Sequence, residues 1–252
     1  MIRIGTRGSP LALAQARWVA ELEQALLEER VDVAVHSAKD VPAELAEGLE
    51  LVAFPARADP RDAICGSPSL LELPPGARIG TSSLRRTAQL RAMRDDVEIR
   101  SVRGNVDTRL GKLQQDDYDA LVLALAGLRR LGREPDGILD ELVPAAGQGA
   151  LALEARASDV HVRTCTHALR DGQTTSCVGA ERELTQRLGA SCNSAVGANA
   201  RPAGQGDFEL QAWVGRSDGS AWICDRLRGE PAGLGSAVAE RLLAVGAQGM
   251  LG

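Results

Sequence analysis

Val31-Asp-Val-Ala-Val-His-Ser-Ala-Lys-Asp40 reads as a β-strand that runs out into His36, Ser37, Lys39 and Asp40. Around it, short β-like runs alternate with helical ones. Ile2–Ile4, Val31–Val35, Leu49–Phe54, Arg78–Ile79, Glu98–Val102, Ala120–Ala124 and Ala150–Glu154 are each expected as strands, with helices between them. That alternation predicts α/β domains with parallel or mixed sheets. Ser9-Pro10 is a helix start signal for a run through Leu11, Ala14, Trp18, Leu22 and Leu26. Thr81-Ser82-Ser83 precedes a second helix, whose Leu84, Leu90 and Met93 are expected to face inward, and Asn105 and Thr108 lie near the start of a third. Residues 195–207, AVGANARPAGQGD, read as loop. After them come an antiparallel pair, Glu209–Val214 and Ala221–Cys224, and a terminal helix over Gly235–Val245.

A chain of 252 residues is long for one core, so two or three small domains are expected. Aromatics make up only 2% and the net charge is −5, which together argue against nucleic acid as a partner. Of the 29 basic residues only Lys39 and Lys112 are lysine; the rest are arginine, the side chain that forks onto carboxylates, although a general compositional drift gives the same bias. The five cysteines are odd in number and widely spaced, with no metal-site pattern, so neither a disulfide framework nor a metal is expected. Met1-Ile-Arg-Ile leads straight into a strand, and the longest apolar run, Leu121 to Leu128, is too short to span a bilayer. The expectation is a cytosolic protein with no membrane partner.

Polar and basic clusters fall at strand-to-helix turns, where open α/β sheets bind ligands and helix N-termini favour anions. Asp40 beside Lys39 suits cation stabilisation or proton transfer, and equally an ordinary capping Asp near a paired Lys. Ser83-Leu84-Arg85-Arg86 and Arg100-Ser-Val-Arg103-Gly-Asn-Val-Asp-Thr-Arg109 place guanidinium groups at helix starts, against the macrodipole. Anion recognition accounts for them, and so does a solvated face paired with Asp95, Asp96 and Asp107. Ala146-Gly-Gln-Gly-Ala150 allows close backbone approach, either to a ligand or in a tight crossover between domains. Cys192, in a turn of small residues, is a candidate reactive thiol, although a single cysteine is more often inert.

VHSAKDVP at 35–42, GTSSLRR at 80–86, RGNVDTRL at 103–110 and Cys192 together resemble the porphobilinogen deaminase family, also called hydroxymethylbilane synthases. The similarity extends through TRGSPLAL at 6–13, DPRDA at 59–63, LALAGLRRLG at 123–132 and GQGA at 147–150. It implies a transferase that condenses four porphobilinogen molecules into linear hydroxymethylbilane, releasing ammonia at each step of this route to haem. The fold implied is α/β in three small domains. Two are doubly wound lobes like those of periplasmic binding proteins, over 1–55 plus 150–172 and over 56–149; the third is a smaller C-terminal α+β domain over 173–252.

The resemblance also implies a dipyrromethane cofactor joined by a thioether to Cys192, with Lys39, Thr81, Ser83, Arg85, Arg86 and Gly104 as its binding residues. It makes Asp40 the catalytic carboxylate. Arg7, Ser9, Ser37, Arg103, Arg109, Arg130 and Gln148 become substrate-binding residues, since each porphobilinogen brings an acetate and a propionate. A monomer is implied as well. The rival readings are a periplasmic-type solute receptor, disfavoured by the missing signal segment and by Cys192, and an inactive homologue. The cofactor loop departs from the family's GGC-x-x-P-x-G pattern, with Ala195 in the proline position. A second departure is larger: Trp18-Val-Ala20 runs directly into Glu21-Leu-Glu, where the family pattern carries on the order of forty more residues. The expectation favours a mobile segment missing from this sequence over a true deletion, which would fuse two helices into one across Pro10–Glu29.

Overall fold

The computed structural model describes residues 2–6, 13–115, 117–190 and 194–251; Arg7, Ser9 and Cys192 lie outside them. The first sheet contains β1 (Ile4–Thr6), β2 (Val33–Ser37), β3 (Leu49–Ala53) and β9 (Leu151–Arg156), in the order β1-β2-β9-β3. β1 runs parallel to β2, whereas β9 runs antiparallel to both of its neighbours, in the register Ala34↔Glu154, His36↔Ala152 and Leu49↔Arg156. Helix α1 (Leu13–Leu27) passes unbroken through Ala20 and Glu21. This is the fused helix that a direct join of Ala20 to Glu21 forms. Its Ala25 and Leu26 are buried against the sheet.

The second sheet has the order β6-β5-β7-β4-β8, built from β4 (Asp62–Cys65), β5 (Arg78–Gly80), β6 (Glu98–Arg100), β7 (Ala120–Ala124) and β8 (Gly137–Leu139). β5 is parallel to β6 and β7, and β4 is antiparallel to β7 and β8. Along β7, Val122 packs into one core with Ile64, Ile79 and Leu90, while Leu121 and Leu123 pack into another with Leu125 and Leu128. Burial on both faces explains why this strand reads as an unbroken apolar run. β4 and β8 were not anticipated, because three or four residues are too few to display a period.

Helices α2 (Leu84–Met93), α3 (Val106–Gln114) and α4 (Leu125–Arg130) follow β5, β6 and β7. Ser83 caps α2 by accepting from the Arg86 amide, and Asn105 caps α3 by accepting from the Thr108 amide. The inward face of α2 corrects the sequence expectation: Leu90 is buried, but Leu84 and Met93 are each 40% exposed, and Arg85, Arg86 and Gln89 are buried instead. The chain crosses from the first sheet to the second after β3 and returns before β9, so two connecting segments join the lobes.

After β9 come α5 (Val160–Thr166) and α6 (Gly172–Arg187), then the antiparallel sheet β10 (Val196–Gly204), β11 (Asp207–Gly215) and β12 (Trp222–Gly229), and α7 (Leu234–Ala244). β10 overturns the loop expected at 195–207. Its alternating Ala198 and Ala200 are small because α6 lies close above them, in a core with Leu184, Leu210 and Leu242. Pro202 is tolerated because β10 is an edge strand. The last three leucines are fully buried, each contributing about 1.5–3 kcal/mol of burial free energy.

Candidate functional site

β2 ends at Ser37, and a single 3-10 turn, Ala38–Asp40, carries Lys39 and Asp40. The turn is pinned by the Ala38 amide donating to the Ala150 carbonyl at 3.0 Å. Gly147, at φ +71°, lies against it so closely that a Cβ would sit 3.0 Å from the Lys39 nitrogen. Gly149, at φ +87°, is equally confined, with a Cβ falling 2.5 Å from the Ala58 carbonyl oxygen. Of the two readings open for the Gly-Gln-Gly stretch, the crossover between lobes is therefore the one these contacts describe, and it fixes the turn that bears Asp40.

Between the lobes lies a cleft of about 420 Å³, within the usual size for a small-molecule site. One wall is His36, Ser37, Lys39 and Asp40 at the carboxyl end of β2; the facing wall includes Gly127 and Arg130 of α4. Arg130 donates from Nη2 to the Gly149 carbonyl at 2.7 Å and is otherwise exposed. This is the crevice outside strand ends where open α/β sheets place ligands.

Directly behind the cleft is a buried charge cluster centred on Asp62, the first residue of β4. Its side chain is 0% exposed. Arg85 Nη1 donates to Oδ2 at 2.7 Å, while Arg86 donates to Oδ1 from Nε at 2.9 Å and from Nη2 at 2.7 Å. Gln148 Nε2 donates to the same Oδ1 at 2.8 Å and to the Pro60 carbonyl at 2.7 Å. Burial works to raise the Asp62 pKa, but the charges of Arg85 and Arg86 outweigh it and hold the carboxyl well below the usual carboxylate range. Lys39 Nζ reaches Gln148 Oε1 at 3.5 Å; burial, reinforced by the charge of Arg86, pulls its ammonium down to about 8.

The sequence expectation sets Arg85, Arg86 and Gln148 against ligand carboxylates, yet here they close first on a carboxylate of the protein itself. Arg86 acts electrostatically on Lys39, Arg85 and Arg109, with Asp40 and Asp62 as the acids that act on Lys39. The buried Arg85 Nε has no partner among the described residues. Arg109 donates from Nε to the Gly104 carbonyl at 2.8 Å, and burial lowers its pKa. Gly104, at φ +123°, turns the chain there, and Arg103 is exposed. Thr81 is buried and accepts from the Ser83 amide at 3.3 Å. It borders a second hollow of about 340 Å³ with Ser101 and with Ser217 of the C-terminal hairpin.

Sequence reasoning overlooked three buried acids. Asp62 sits in DPRDA, a string noted only as similarity. Glu154 interrupts the apolar residues at the start of β9, and that interruption was its signal. Glu181 of α6 pairs with Arg57 at 2.6 Å and also accepts from the amides of Gly147 and Ala200, tying the crossover segments to the C-terminal sheet. No periodicity marks it. Among the described residues, no cluster of His, Cys, Asp and Glu is placed to hold a metal, and no helix is long and apolar enough to cross a membrane.

The fold and site define a two-lobed α/β protein whose interlobe cleft, walled by Lys39 and Asp40, is backed by Arg85 and Arg86 closed on the buried Asp62. Residues 16–164 match the model of the porphobilinogen deaminase dipyromethane cofactor binding domain, and residues 175–244 match the porphobilinogen deaminase C-terminal domain. Porphobilinogen deaminase of Roseiflexus castenholzii is 47% identical over 242 residues, covering 93% of this chain and 80% of the relative. That of Deinococcus deserti is 40% identical over 304 positions, covering 99% of this chain and 97% of the relative. An alignment of 304 positions cannot be filled by 252 residues, so dozens of positions in that relative have no counterpart here. A nutrient binding protein of Burkholderia cenocepacia bound to methionine overlaps 69% of this chain and 94% of its own at 12% identity, with a TM-score of 0.42. The chain belongs to the porphobilinogen deaminase family, transferases that form hydroxymethylbilane in tetrapyrrole synthesis.

Proposed function

We propose that the cleft beside Asp40 is where porphobilinogen units are joined, and that the residues around it divide the work. The observation that carries this reading is the gathering of Lys39, Arg85, Arg86 and Arg109 at the cleft, with Arg85 and Arg86 sharing the one carboxylate of Asp62. Each incoming pyrrole adds an acetate and a propionate, and a site that accumulates them needs standing positive charge close by. Arg85, with one donor unpartnered, together with Arg86, Lys39, Thr81, Ser83 and Gly104, suits the carboxylates of dipyrromethane. Dipyrromethane, when bound, supplies the acceptor pyrrole for the first condensation. Cys192 is assigned its attachment on the family resemblance.

Asp40 sits in the cleft wall, where a carboxylate stabilises the positive charge that develops on a pyrrole as ammonia departs. Arg103, Arg109 and Arg130, with Ser37 and with Arg7 and Ser9 outside the described residues, hold the substrate's acid side chains. Gln148 acts from behind, keeping Asp62, Arg86 and Lys39 in register. The reading includes the three-part division at 1–55 plus 150–172, 56–149 and 173–252, and a cytosolic monomer.

The test is incubation with porphobilinogen followed by intact-protein mass measurement. An increment of two linked pyrroles, lost in Cys192→Ser, supports the enzyme. Reversible binding alone supports a solute receptor, and neither result supports an inactive homologue. Asp40→Ala is expected to abolish turnover while still permitting the increment, and Arg109→Leu to stall elongation at intermediate masses. Near-normal turnover by Asp40→Ala sinks its role.

A further inference from the structure

His36 and Glu154 form a buried dyad in the cleft wall that the roles above do not use. His36 lies opposite Ala152 and Glu154 opposite Ala34, so the two side chains are diagonal neighbours on one face of the β2–β9 pair. His36 Nε2 and Glu154 Oε2 are 2.8 Å apart, with the side chains 4% and 0% exposed. The other carboxylate oxygen, Glu154 Oε1, is buried without a partner among the described residues. Charged and titratable groups approach from every side. Glu23 of α1 has its own buried, unpartnered Oε1, and burial followed by the charge of Glu154 raises its pKa. Arg182 of α6 acts on Glu154 at a distance while its guanidinium donates to the carbonyls of Val41, Pro42 and Ala43. Lys39 and Asp40 follow on the same strand end, and Arg130 of α4 faces them across the cleft.

A carboxylate can only accept, so the Nε2 atom bonded to it carries the proton and leaves Nδ1 as the basic nitrogen. An acid this deeply buried, with one oxygen unsatisfied, is costly unless its partner can become a cation. The arrangement is that of a base whose tautomer is fixed by an acid behind it. The geometry points to His36 as the residue that exchanges the protons of the condensation in this cleft, with Glu154 as its positioning residue. The inference rests on the deaminase reading of the site.

In each condensation the aminomethyl C–N bond of porphobilinogen breaks, both electrons leave with the nitrogen as ammonia, and the pyrrole is left cationic. When the new C–C bond forms, the C–H bond at the attacked carbon of the acceptor pyrrole breaks and its electron pair returns to the ring. The released proton goes to His36 Nδ1, giving an imidazolium paired with Glu154, and passes from there to ammonia. Imidazole is the side-chain type whose charge changes near neutral pH, so one group can accept and donate in the same turnover.

The chain has only three histidines, which makes ring-nitrogen NMR on histidine-labelled protein without bound pyrroles a direct readout. The spectrum is expected to show His36 in the Nε2–H form, its signals assigned by their loss in His36→Gln. Glu154→Gln still offers an oxygen to Nε2 and keeps the fold, but it removes the charge that stabilises the imidazolium. It should lower kcat on the order of tenfold or more while leaving the KM for porphobilinogen within about twofold. His36→Gln should lose at least as much kcat at a similar KM. A merely structural dyad would change thermal stability and leave kcat in place, and that outcome, or an Nδ1–H tautomer, overturns the inference while the deaminase reading stands. Wild-type protein that makes no hydroxymethylbilane overturns both.

Discussion

Replacing Asp62 by Asn removes one charge from the centre of the cluster while keeping its shape. The carboxylate is 0% exposed and serves two guanidinium groups that are 4% and 6% exposed, so solvent screens neither interaction. Removing one partner of a buried ion pair costs about 3–5 kcal/mol, because the remaining charge is left uncompensated. With two arginines stranded, the upper end of that range applies. At roughly 2–4 °C per kcal/mol for a chain of this size, Tm should fall by about 10–20 °C in a circular-dichroism melt at pH 7. The pH dependence follows from the same carboxyl, whose folded pKa lies below its unfolded value of about 3.9. Its contribution is fully present above that value and is lost as pH falls through the lower, folded one. The wild-type and Asp62→Asn stabilities should therefore stay apart at neutral pH and converge only in strong acid. A Tm within a few degrees of wild type at pH 7 would refute the role given to this cluster.

Gly149→Ala forces a Cβ to within 2.5 Å of the Ala58 carbonyl oxygen at a positive φ; it should lower the urea midpoint by the equivalent of about 1–3 kcal/mol, with Gly147→Ala acting similarly. Lys39, pulled down to about 8, loses its charge as pH rises through that value, so the KM for porphobilinogen should climb between pH 7 and 9 in wild type and stay flat in Lys39→Met. Because the folded pKa lies below the unfolded value of about 10.4, the buried ammonium costs stability below pH 8, and that cost is relieved as pH approaches 10.4. Matched urea titrations of wild type and Lys39→Met at pH 7 and 10 check the sign.

The sequence by itself determined the α/β class, the polar strand end at residues 36–40 and the helix starts after Ser83 and near Asn105, because each depends on neighbours within a few residues. The resemblance carried by four short strings determined the family for the same reason: their residues lie together along the chain. β10 was hidden because alanine and glycine lack the side chains that mark a strand, and only α6 packed close above it requires such small residues. The inward face of α2 was misread because burial normally selects Leu84 and Met93. A carboxylate on a different strand selected Arg85 and Arg86 instead. The partnerships of Asp62, Glu154 and Glu181 span 19 or more positions in sequence, and only tertiary structure decides them. A buried charge survives only where folding delivers its counter-charge, and no local pattern records which distant residue that is.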